Sequence, residues 1–137
     1  MSHAEQPLNG RPDRAALLVL GILQGLMLAA LYTRTPPHPP FEIALFALGP
    51  FLSAAIALCA AALALGGTDT RAGRVTSMIA ALASVVSFGP HKWFAESFVQ
   101  IWPAVVLAQA ACALLLFITI KSIRQERSAW HHGEEAQ

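Results

Sequence analysis

Charge is what this chain has least of. Asp, Glu, Lys and Arg make up 12% of its 137 residues, about half the share usual in a soluble domain. The formal net charge is only +1, with no basic stripe, which argues against a nucleic-acid binder. Two cysteines, Cys59 and Cys112, occur without any CxxC spacing, so neither a redox motif nor a disulfide framework is encoded. A Gly-rich phosphate loop, a nucleophile elbow and an HExxH pair are all missing, and the common routes to phosphoryl transfer, acyl transfer and zinc hydrolysis go with them.

The remaining absences concern the long apolar runs. Ala15 to Thr33, Ile43 to Thr68, Val75 to Pro90 and Ser97 to Ile120 contain no Asp, Glu, Lys or Arg. The second is 26 residues long with one pair of glycines at its end; as a helix rising about 1.5 Å per residue it outreaches the roughly 30 Å hydrocarbon layer of a bilayer. No His lies within any of the four, so haem held by two histidines between helices has no ligands. No ionisable carboxylate or amine sits at mid-run, where proton relays and ion-coupled transporters usually place one.

Those four runs define the fold class: an all-α integral membrane protein, a bundle of four transmembrane helices at about 14–33, 41–65, 70–88 and 94–123. They leave no room for a second, soluble domain. Residues 1–12 and 128–137 read as disordered cytoplasmic tails, the latter carrying Trp130, His131 and His132.

Basic residues set the expected orientation. Arg11 and Arg14, Arg71 and Arg74, and Lys121, Arg124 and Arg127 flank one side of the helices; Arg34 and Lys92 stand alone on the other. Lys/Arg-rich short segments stay in the cytoplasm, which puts both termini inside in a multi-pass protein of the cell (inner) membrane. Tyr32, Phe41, Trp93, Phe94 and Trp102 gather near the two outer loops, where amphipathic rings favour the interface. The first run is too long for a signal-peptide core and ends at Tyr32-Thr33-Arg34 without an A-x-A site, so it is read as retained.

Small residues predict how the helices pack. Gly21, Gly25 and Ala29 recur every fourth position, as do Gly49, Ser53, Ala57 and Ala61, and such stripes let two backbones approach closely. Ser77, Ala80, Ser84 and Ser87 mark one side of the third helix. Gln24 needs a hydrogen-bond partner across an interface, because its amide cannot face lipid cheaply. Asp13 and Asp69 have the chemistry of helix N-caps, and Gly66-Gly67 that of a helix stop. Pro50 and Pro103 each remove one helical hydrogen bond and should bend their helices.

An internal repeat adds to this. Residues 37–74 and 90–127 align at a constant offset of 53 with eleven identities in 38 positions, among them Pro37/Pro90, His38/His91, Phe41/Phe94, Pro50/Pro103, Cys59/Cys112, Arg71/Arg124 and Arg74/Arg127. The expectation is a duplicated helical hairpin, its copies sharing one orientation, with the fourth helix starting near Phe94.

Three functions fit these residues. The first is a non-enzymatic accessory, assembly or stabilising subunit of a larger membrane complex, held by its small-residue stripes to another membrane protein or to itself. The second is a small oligomeric transporter or channel lined by Gln24, Ser84 and Gln109 beside the bent helices. The third is an outer-surface metal or quinone site at His38, His91, Glu42 and Glu96: imidazoles and carboxylates suit Zn or Cu, but no HxH or HxxxH spacing prearranges them, and no cofactor is predicted. Pro-His-x-x-Phe reads more simply as a helix-start motif, with His near the lipid headgroups and Phe as an aromatic anchor.

Overall fold

The computed structural model describes residues 11–35, 45–94 and 98–134. Four helices carry them: α1 (Pro12–Thr33), α2 (Leu45–Ala64), α3 (Arg71–Phe88) and α4 (Phe98–Glu134), with a single 3-10 turn at Pro90–Phe94 before α4. All four are long and apolar enough to cross a membrane. The fold is thus an all-α, four-helix membrane bundle. Each helix packs on its neighbours in the order α1, α2, α3, α4 and back to α1, so that α2 and α4 face each other across a diagonal.

The interior is built from small and medium residues. Leu17 and Leu20 of α1, Cys59 and Ala62 of α2, Ala80 and Ala81 of α3, and Ala108, Cys112 and Leu115 of α4 form one buried cluster. Lipid chains are as apolar as a leucine, so close van der Waals packing rather than expulsion from water holds such helices together. Leu52, Ala55, Cys59 and Ala62 of α2 and Val105, Ala108, Cys112 and Leu115 of α4 are buried as matched sets, beside Gly49 on α2 and Ala111 and Thr119 on α4, which are buried on one helix only. The two sets differ by 53 at every position. Both cysteines are buried free thiols.

Several boundaries depart from the sequence reading. Pro12, with its φ preset and no amide proton to leave unpaired, takes the first helical position of α1. Asp13 therefore lies inside the first turn, and Arg11, not Asp13, occupies the cap position without a side-chain bond. At α3 the cap is Thr70, not Asp69: the Thr70 hydroxyl accepts from the Gly73 amide at 2.9 Å and donates to the Leu65 carbonyl at 2.6 Å. Phe94, the expected start of the fourth helix, belongs instead to the 3-10 turn of residues 90–94, and α4 is described from Phe98, on which the Trp93 ring packs with centroids 5.0 Å apart.

At its other end α4 runs to Glu134, past the expected end at 123 and through most of the stretch read as a disordered tail. No proline interrupts residues 121–134, and the first glycine is Gly133, so nothing stops the helix once it has started. Pro50 and Pro103 both lie within continuous helix and both are exposed. The start of the second helix, expected at 41, falls outside the described residues.

Candidate functional site

The faces presented by the four helices are unlike one another. α1 shows Leu18, Ile22 and Leu26 to the surroundings, α3 shows Val75, Ile79, Leu82 and Val86, and α4 shows Val99, Val106, Leu107, Leu114 and Phe117. These are ordinary lipid-facing side chains. Along α2, from Ser53 to Ala64, the exposed residues are Ser53, Ala54, Ala57, Ala60, Ala61 and Ala64. None is larger than serine.

This overturns one expectation and sharpens another. Gly49, Ser53, Ala57 and Ala61 do not form the inward edge of α2: Gly49 is buried under the Tyr32 hydroxyl, while the other three point out of the bundle. The inward edge follows a three-four alternation instead, the spacing a helix needs to keep one face on its neighbours. The stripe on α1 divides in the same way. A Cβ at Gly21 would touch Cys59 at 3.6 Å, one at Gly25 would meet nothing within 4 Å, and Ala29 is exposed.

Polar groups line the inside of α3. Gln24 is fully buried, and its Nε2 donates to the Ser84 hydroxyl at 3.4 Å, which in turn donates to the Ala80 carbonyl at 2.8 Å. Gln24 Oε1, Ser77 Oγ and Ser87 Oγ are buried without a hydrogen-bond partner among the described residues. Gln109 of α4 does a different task. Its Nε2 donates to the Phe88 carbonyl at 3.0 Å, satisfying a group that the end of α3 leaves free, and its Oε1 accepts from Trp93 at 3.2 Å.

A bond of 3.4 Å is long, and side-chain hydrogen bonds inside membrane bundles average only about 0.6 kcal/mol. Gln24→Leu, nearly equal in volume, should therefore shift stability by less than about 1 kcal/mol in an SDS-titration unfolding experiment. A loss above about 2 kcal/mol would mean that the amide carries more than this one contact.

The basic end of the bundle holds contacts that the sequence reading missed. The Asp13 carboxylate accepts from both the amide and the hydroxyl of Thr68 at 3.0 Å, pinning the start of α1 to the α2–α3 turn. Arg11 pairs with Asp69 across the α2–α3 turn, and that bond raises the already high Arg11 pKa. Arg74 is buried; its guanidinium donates to Ser122 at 3.2 Å and to Glu126 at 2.5 Å on α4. Arg74 precedes Ser77 by three positions and so shares its buried face, which is the signal that could have revealed it.

Of the four residues considered for a metal, His38, Glu42 and Glu96 lie outside the described residues. His91 is exposed in the 3-10 turn, near the end of α3. Among the described residues no three His, Cys, Asp or Glu side chains gather as a metal site.

These features define a class: a multi-pass helical membrane protein with a packed interior, whose second helix exposes mainly small side chains from Ser53 onward. The chain matches no model of a known protein family, no curated protein and no solved structure.

Proposed function

We infer that this protein is a small non-enzymatic subunit of the cell (inner) membrane, with both termini cytoplasmic, that docks sideways on a larger membrane protein through the small-residue face of α2. The observation that carries this reading is the contrast just described: α1, α3 and α4 expose several large apolar side chains, while every exposed residue of α2 from Ser53 to Ala64 is serine or alanine, with Ile56, Leu58 and Leu63 half-buried and Phe46 exposed nearer its start. Facing lipid, such a surface forgoes dispersion contacts. Facing another helix, it allows the close approach that stabilises membrane association.

The placement of the three basic clusters supports the orientation. Arg11, Arg71, Arg74, Lys121 and Arg124 lie toward the end where Asp13 meets Thr68 and Arg74 meets Glu126, and Lys/Arg-rich ends remain cytoplasmic. The four buried positions of α2 that recur 53 residues later in α4 support a duplicated hairpin. In that case the copies have diverged in use: Ala54, Ala61 and Ala64 of α2 correspond to Leu107, Leu114 and Phe117 of α4, so one copy faces lipid and the other a partner.

The test is gentle extraction from the native membrane followed by mass analysis of the intact assembly. The wild-type chain should carry a partner, and Ala57→Leu/Ala61→Leu should release it while leaving helix content unchanged, since both positions are exposed. Recovery of a lone wild-type monomer overturns the reading; an assembly containing only this chain makes the partner a second copy.

A further inference from the structure

We propose that the outer face of α4, where the helix leaves the membrane, is a binding site for one anionic phospholipid. A groove of about 440 Å³ lies there, lined by Phe117, Ile120, Lys121, Arg124, Gln125 and Ser128. Its chemistry changes along the helix in the order that a lipid molecule would require. Phe117 and Ile120 close the charge-free run and are 65% and 44% exposed, offering apolar surface at the depth of acyl chains. Lys121 and Arg124 follow at once, three residues apart on one face, a spacing that lets both reach one phosphodiester. Gln125 and Ser128 then supply neutral hydrogen-bonding groups at the level of the headgroup.

The opposite face of the same stretch is already engaged. Ser122 and Glu126 turn toward α3 and hold Arg74, so the groove residues are directed away from the bundle and the helix beneath them is fixed in rotation. Charge complementarity selects the occupant. Arg11 has Asp69 and Arg74 has Glu126, but no ion pair among the described residues involves Lys121 or Arg124. Two adjacent uncompensated cations at the membrane boundary favour an anionic headgroup over a zwitterionic one. Because α4 stays helical to Glu134, the site is held on a rigid element rather than a loose tail. This site is independent of the docking face on α2.

Native mass spectrometry of the full chain, titrated in detergent with phosphatidylglycerol or phosphatidylcholine, tests the assignment. One phosphatidylglycerol should be retained per chain, in preference to phosphatidylcholine. Lys121→Gln/Arg124→Gln should weaken that binding about tenfold or more. Arg14→Gln/Arg71→Gln removes the same charge from exposed positions at the same end and should leave binding nearly unchanged. Equal weakening in both double variants would reduce the effect to bulk charge and overturn the site, as would equal retention of the two lipids.

Discussion

Gly67→Ala should destabilise the bundle by about 2 to 4 kcal/mol. Two costs combine. Gly67 has φ +63°, a left-handed conformation that is unfavourable for residues with a Cβ by roughly 1 to 2 kcal/mol. The added carbon would also collide with Asp13 Oδ2, displacing the carboxylate that satisfies the buried amide of Thr68. Leaving such a donor unpaired costs about 1 to 3 kcal/mol.

A neighbouring residue separates the two costs. Gly66 also has positive φ, at 90°, but its Cβ would meet only Thr70 Cγ2 at an ordinary 3.6 Å. Gly66→Ala should therefore lose only about 1 kcal/mol, the conformational part. SDS-titration unfolding of both variants checks this, and equal losses would show that the Asp13 contact contributes nothing. The turn itself is set by backbone bonds: Gly67 N–H donates to Ala62 O at 2.8 Å and Gly66 N–H to Leu63 O at 3.1 Å, a Schellman ending with Gly66 at its left-handed position.

The second large effect is expected at Glu126. Glu126→Ala leaves the Arg74 guanidinium, whose side chain is 7% exposed, with Ser122 as its remaining side-chain partner. Breaking a fully buried pair costs about 3 to 5 kcal/mol. Glu126 itself is 57% exposed, so water partly screens the interaction, and about 2 kcal/mol is the expected loss. Arg74→Met/Glu126→Ala should recover most of it, because the double variant strands no charge. A double variant as unstable as Glu126→Ala alone would mean that the lost stability came from packing and not from charge.

How much of this was legible in the sequence depends on distance along the chain. The four helices were, because uncharged runs of this length have one low-energy arrangement in lipid, with every backbone group bonded inside its own helix. The inward side of α3 was also readable: Ser77, Ala80, Ser84 and Ser87 are all buried. There the small and hydroxyl-bearing residues were confined to one face, leaving Val75, Ile79, Leu82 and Val86 on the other.

On α2 that contrast fails. Alanines surround the helix, so an every-fourth-residue stripe can be drawn on several faces, and the one with the most regular spacing turned outward. Cap residues were misplaced by one position at Asp69, beside the hydroxyl of Thr70, and by two at Asp13, because Pro12 starts the helix ahead of it. At the basic end the spacing could place Arg74 on the buried face of α3, but the partners there were not legible from local pattern. Asp13 meets Thr68 across 55 residues and Arg74 meets Glu126 across 52, and only the folded topology brings either pair together.

The length of α4 has a consequence for whatever stands above the membrane on that side. Its last apolar position at bilayer depth is Ile120, yet the helix carries on to Glu134, a further reach of about 20 Å at 1.5 Å per residue. That segment is a stiff post, clamped at its foot by Arg74. It sets a minimum standoff for a soluble domain resting on its tip, and a reporter fused after it would be held clear of the headgroups instead of lying among them.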